Sequence, residues 1–114
     1  MNTQVLDMPA HVVTGVQLDH LGQVARVRWY LADGVDETVH AGAVPRPVTA
    51  ESVVDTLEVI DKLLDAEPVV PLFRSPSGAR LGAMIKVHVQ ADGTESIEVD
   101  PSLPGQSLRD LPRL

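Results

Sequence analysis

The stretch TAESVVDTLEVIDKLLDA, residues 49–66, decides the fold. It is the long segment of the chain that carries a start signal, an apolar stripe and a stop. Pro47 and Thr49 precede it, and a threonine side chain can accept from a free N–H of a first helical turn. Glu51 places negative charge where the helix dipole favours it. Val53, Leu57, Ile60 and Leu64 recur at steps of four, three and four, which predicts one narrow face turned to the core. Val59 and Leu63 fall off that stripe. They read as scattered surface apolar residues or as a second contact line for a partner chain or an overlying tail. Glu58 and Lys62 make an i,i+4 pair worth about 0.3 kcal/mol. Pro68 ends the pattern, because the residue before a proline avoids helical geometry.

Outward from this helix, short runs alternate as strands do. His11–Leu18 places Val12, Thr14, Val16 and Leu18 on one side and His11, Val13, Gly15 and Gln17 on the other. Asp19-His20-Leu21-Gly22 is a turn. Gln23–Leu31 then places Ala25, Val27, Trp29 and Leu31 inward, with Arg26, Arg28 and Tyr30 outward. The two runs predict a hairpin that needs a cover on its apolar side. Glu37–Val44 suggests a further strand, thinned by Ala41-Gly42-Ala43.

Beyond the helix, Val69–Phe73 is a short apolar run. Pro71 cannot donate to a ladder, which predicts an edge strand or a bulge. Arg74–Arg80 reads as a polar loop. Leu81–Gln90 and Glu95–Asp100 flank Asp92-Gly93, a strong hairpin signal. Ile85, Val87, Ile97 and Val99 are expected inward, and Lys86 and His88 outward. Residues 1–9 are expected to be flexible and 10–100 to form one domain. Residues 101–114 are expected to form a proline- and leucine-containing arm, with Ser107 capping a short turn through Asp110. The fold class is α+β: a mostly antiparallel sheet of about five strands with one helix on one face.

Composition narrows the function classes. The chain has 114 residues, a formal net charge of −7 and no cysteine. It can bury a core of its own, and no disulfide or thiolate chemistry is open to it. The acidic balance argues against a nucleic-acid binder, which needs clustered positive charge. Trp29, Tyr30 and Phe73 are the aromatic residues, too few for a base-stacking platform. No secretory signal and no apolar run long enough to span a bilayer is visible, so a cytoplasmic protein without membrane contact is expected.

Three stretches also resemble a known family. Val13-Thr14-Gly15-Val16-Gln17-Leu18 is similar to an opening I-T-x-V-x-L strand. Val24-Ala25-Arg26-Val27-Arg28-Trp29 resembles a V-x-x-V-R-W-like strand, and Leu108-Arg109-Asp110-Leu111-Pro112 a closing leucine-proline tail. These are features of a family of short bacterial proteins catalogued only as a domain of unknown function. The resemblance implies a sheet covered by a helix and carries over no catalytic or binding residue.

Chemistry-bearing residues are sparse. Arg26 and Arg28, two apart on a strand, leave the same face, with Tyr30 next along. They suit a carboxylate or another anion, unless cross-strand carboxylates such as Glu98 or Asp100 neutralise them. His11, His20, His40 and His88 show no H-x-x-x-H or H-E-x-x-H spacing, so no metal site is expected. The segment RSPSGAR, 74–80, lacks the Gly-Lys pair of a P-loop, and no G-x-S-x-G elbow exists. No cofactor is expected.

The expected function is a non-catalytic binding or protein-interaction module. It would use Arg26, Arg28, Tyr30, Lys86 and His88, or the Val59/Leu63 side of the helix, and self-association is one form. The alternative is a small-molecule or anion-binding sensor or enzyme with a pocket between Arg74–Arg80 and the outer sheet face.

Overall fold

The computed structural model describes residues 9–32, 47–76, 78–99 and 107–114. Strands β1 (Ala10–Leu18), β2 (Val24–Ala32), β3 (Ser52–Asp55), β4 (Val69–Ser75) and β5 (Gly78–Leu81) form one mixed sheet in the order β3-β2-β1-β4-β5. Helix α1 (Thr56–Leu64) runs between β3 and β4. Strands β6 (Ile85–Val89) and β7 (Glu95–Val99) make a separate antiparallel hairpin, and a 3-10 turn follows at Leu108–Asp110. Mostly sheet with one helix among the described residues, this fits the α+β class. It is not strictly antiparallel, because β1 and β4 pair in parallel. Strand β3 runs parallel to both, so α1 carries the chain from the sheet edge across β2 and β1 to β4. That route puts the helix on one face of the sheet.

The helix is shorter than its sequence predicts, and it buries a different side. Ser52–Asp55 pairs with β2 instead of forming a first turn, in the register Trp29↔Ser52, Arg28↔Val53, Val27↔Val54 and Arg26↔Asp55. Adjacent β-branched Val53 and Val54 suit a strand. Asp55 is the N-cap, accepting from the Glu58 N–H at 3.1 Å. Thr49, the expected cap, instead accepts from the Leu31 N–H at 3.0 Å alongside β2. Val53, Leu57 and Leu64 are 49%, 69% and 70% exposed, whereas Val59 is 0% and Ile60 4% exposed. Of the expected stripe only Ile60 faces the core. The working stripe is Thr56, Val59, Ile60 and Leu63, an i, i+3, i+4, i+7 series whose first member is polar. The Thr56 hydroxyl lies 2.8 and 3.0 Å from the carbonyl oxygens of Val24 and Ala25. Lys62 lies 3.9 Å from Glu67, a pair that replaces the expected contact with Glu58.

Two bulges reset the alternation of the first hairpin. Val13 faces Trp29, but the next pair is Gly15↔Arg28, so Thr14 is extra. Val13 and Val16 therefore lie on the same face, where strict alternation separates them. A second shift pairs Gln17 with Arg26 and Leu18 with Val24, leaving Ala25 extra. Its carbonyl and that of Val24 are the two that the Thr56 hydroxyl reaches. The turn between the strands forms as expected. Asp19 Oδ1 accepts from the N–H groups of Leu21 and Gln23, and Gly22 takes φ +80°.

Pro71 lies inside the sheet order, not at an edge. It is accommodated because β4 changes partners there. His11, Val12 and Val13 pair with Val69, Val70 and Pro71, whereas Leu72–Ser75 pairs with β5. The missing N–H falls at the hand-over, and the Pro71 carbonyl still accepts from Gly82 at 3.0 Å. The expected 74–80 loop is a tight hairpin, with Arg74↔Ala79 and Ser75↔Gly78. The run expected as one strand over 81–90 breaks at residues 82–84 into the end of β5 and the whole of β6. Asp92-Gly93 turns the second hairpin, Gly93 taking φ +90°. The strand expected at Glu37–Val44, and His40 within it, lie outside the described residues.

The main core lies between the sheet and α1. It joins Val13, Val16, Val27 and Trp29 to Val59 and Ile60, to Ile85, Ile97 and Val99 of the hairpin, and to Leu108 and Leu111. The last two pin the C-terminal segment. Ser107 and Asp110 form a reciprocal capping box. The Val16 N–H donates to the Pro112 carbonyl at 2.9 Å and the Leu114 N–H to the Val16 carbonyl at 3.0 Å. A second cluster occupies the opposite face of the sheet: Ala10, Val12, Tyr30, Ala32, Val70 and Leu72.

Candidate functional site

That second face carries the arginines. Cross-strand register places Arg26 beside Gln17, Arg28 beside Gly15 and Tyr30 beside Val12, so all three emerge on the side away from α1. Their environments differ along the strand. Arg26 is exposed and Arg28 half-buried. Tyr30 is 4% exposed within the second cluster. Tyr30 was expected in the open with the arginines. It is instead packed, because Val12, Val70 and Leu72 leave the sheet on the same side beside it.

Arg74 joins this face. Leu72 belongs to the second cluster, and two residues along β4 the Arg74 side chain projects the same way. Its charge acts on Tyr30. Burial raises its phenol above the ordinary value of 10.0, Arg74 opposes that shift and Glu51 adds to it. Glu51 is held by the Thr14 hydroxyl, which donates to its Oε2 at 2.7 Å. The extra residue of the β1 bulge therefore positions a carboxylate over β2. Gly15 next to it permits close packing. A Cβ there would lie 3.1 Å from the Pro112 oxygen, 3.2 Å from Leu114 Cδ2 and 3.8 Å from Arg28 Nη1.

Among the described residues the expected neutralisation across the strands does not occur, and Asp100 lies outside them. Neither Glu98 nor any residue of β7 neighbours β2. Asp55 is the carboxylate opposite Arg26 and Val53 stands opposite Arg28. Asp55 accepts from the helix N-terminus and makes no ion pair with Arg26. Among the described residues, Arg26, Arg28 and Arg74 have no carboxylate within 4.0 Å.

The remaining expected contacts lie elsewhere. Lys86 and His88 are exposed on β6, opposite Glu98 and Ser96 in the separate hairpin. Arg26, Arg28, Tyr30, Lys86 and His88 thus do not share one sheet face. Nor does the Val59/Leu63 side of the helix offer a surface, since Val59 is in the core and Leu63 packs against it. Among the described residues no group of three or more His, Cys, Asp or Glu side chains is placed to hold a metal ion. His11 is instead a packing residue. Its ring centroid lies 4.3 Å from that of Trp29, and its Nδ1 is 3.9 Å from Glu67 Oε1.

A concavity lies away from the arginine face. A groove of about 380 Å³ opens where the β1–β2 turn, the β6–β7 hairpin and the 3-10 turn meet. Its polar walls include His88, Glu98 and Arg109, and none of residues 74–80 lines it. No pattern of residues in the sequence marks this groove, because its walls come from segments far apart in the chain. Among the described residues no helix is long and apolar enough to cross a membrane. Comparison of the chain with protein-family models, with curated proteins and with solved structures finds no match.

Proposed function

We propose that this protein is a non-catalytic binding module that holds an anionic group, presented by a small ligand or a protein partner, on the arginine face of its five-stranded sheet. Arg26 and Arg28 make the contact, and Arg74 adds charge from the neighbouring half of the face. One observation carries this reading: three guanidinium groups leave the same side of one sheet, in a chain of net charge −7, with no intramolecular carboxylate within 4.0 Å among the described residues. An acidic protein has many carboxylates to pair with arginine, so unpaired arginines on one face are available for an external acceptor. Tyr30 and the apolar cluster around it fix the strand that carries them. The cytoplasm is the compartment assigned to this role. The motifs resembling the short bacterial family fit it, since that resemblance brings no catalytic residue.

The test compares the natural chain with the Arg26→Gln/Arg28→Gln double variant. Inorganic phosphate, pyrophosphate, citrate and a poly-glutamate peptide are titrated by calorimetry at low ionic strength. A charge-assisted contact is worth about 1.5–3 kcal/mol, so the double variant should bind about tenfold or more weakly. The same two proteins are compared in a pulldown. Equal affinities for all four probes together with an unchanged partner profile would end the proposal.

A further inference from the structure

We propose that the groove between the β6–β7 hairpin and the 3-10 turn is a second binding site, for a small zwitterion of the amino-acid type. Val24 and Ile97 supply its apolar floor, and Gln23, His88, Glu98 and Arg109 its polar walls. These residues come from the β1–β2 turn, from both strands of the hairpin and from the C-terminal segment, so the groove exists only when the tail is docked. Arg109 stands between Leu108 and Leu111, both buried, on a turn closed by the Ser107–Asp110 capping box. Its backbone is therefore fixed while its side chain is exposed.

The charges lining the groove do not answer one another. Among the described residues, Arg109 has no ion pair within 4.0 Å, and its carbonyl, not its guanidinium, is engaged, by Arg113 Nη1 at 2.7 Å. Glu98 faces Lys86 across the hairpin without an ion pair. One of its oxygens accepts from the Val99 N–H at 3.1 Å, which leaves the other oxygen open. A cation and an anion that border the same space unpaired match a molecule bearing the opposite pair: a carboxylate for the Arg109 fork and an ammonium for Glu98. A ligand with one charge leaves one wall unanswered. The volume lies near the lower end of the usual range of about 300–1,000 Å³, and among the described residues no phenylalanine, tyrosine or tryptophan lines the groove, which suits an amino acid better than a nucleotide. This site stands apart from the arginine face, since neither Arg26, Arg28 nor Arg74 touches it.

The experiment titrates L-alanine, L-glutamine, L-glutamate and L-lysine into the full chain by calorimetry, with acetate and methylammonium as single-charge probes. The natural protein, Arg109→Gln, Glu98→Gln and the Arg26→Gln/Arg28→Gln variant are compared, each first checked for an unchanged melting temperature. Where a glutamine variant loses stability, Arg109→Lys or Glu98→Asp takes its place, and weakened binding is again expected. At least one amino acid should bind more tightly than either single-charge probe. Loss of either groove charge should weaken it about tenfold or more, and the Arg26/Arg28 variant should bind it normally. Absence of binding by all four amino acids would overturn the site. So would acetate binding as tightly as the amino acids, or equal affinity in the Arg109 and Glu98 variants. Loss of binding in the Arg26/Arg28 variant alone would relocate the ligand to the arginine face and equally end this proposal.

Discussion

Truncating Val59 should destabilise the protein far more than truncating Leu57 and Leu64 together, although the latter two are the larger side chains. Val59 is fully buried among the strands and the β6–β7 hairpin, whereas Leu57 and Leu64 are 69% and 70% exposed. Val59→Ala removes two buried methyl groups at about 0.8 kcal/mol each. Incomplete collapse of the vacated space raises the total to about 2–3 kcal/mol. Leu57→Ala and Leu64→Ala remove carbon that is mostly in water, and alanine is the better helix former, so the pair should change stability by less than about 1 kcal/mol. The assay is equilibrium unfolding in urea followed by Trp29 fluorescence. With a slope of about 1–3 kcal/mol per molar urea, Val59→Ala should lower the midpoint by about 1 M, with the slope unchanged. The reverse ranking, a large loss in Leu57→Ala/Leu64→Ala and little in Val59→Ala, would refute the placement of the helix.

Two further outcomes follow from local geometry. Burial lowers the proton affinity of His11 below its ordinary value of 6.5, Glu67 partly opposing this and Lys62 reinforcing it. The unfolded chain then takes up this proton more readily than the folded one, so the contribution is intact above pH 6.5 and is lost as pH falls through that value toward the folded one. His11→Phe keeps a ring against Trp29 and should flatten the stability profile in this window, as urea midpoints across pH will show; an unchanged slope would contradict the burial of this ring. At Gly82, an added Cβ would meet Phe73 Cε2 at 2.7 Å and Pro71 Cγ at 3.0 Å. Gly82→Ala should cost about 1–3 kcal/mol in the same assay, and Phe73→Leu in the same chain should recover part of the loss by making room.

Much of the fold was legible in residues that act locally. Asp19–Gly22 and Asp92-Gly93 form turns because the aspartate oxygens accept neighbouring N–H groups and the glycines take positive φ. Val27 and Trp29 face the core, and Arg26 and Arg28 share the opposite face, as period-two spacing requires. The Ser107–Asp110 turn follows from its own spacing. The groove had no local signature at all, because Gln23, Glu98 and Arg109 meet only in space.

The sequence by itself determined that β1, β2 and β7 extend, where the β1–β2 and β6–β7 hairpins turn and that two arginines leave one side of a strand, since turn chemistry and side-chain period act over a few residues. Only the tertiary structure decided where α1 begins and which of its sides is buried. Residues 52–55 suit a strand or a helix, and pairing with the exposed edge of β2 settles the choice. It also decided the inward side of β1, because the extra residue Thr14 reverses the alternation, and a bulge has no cost or benefit until a partner strand lies alongside. The joining of Arg74 to Arg26 and Arg28 is of the same kind. It depends on β4 lying parallel to β1, a long-range pairing that no short stretch of the chain encodes.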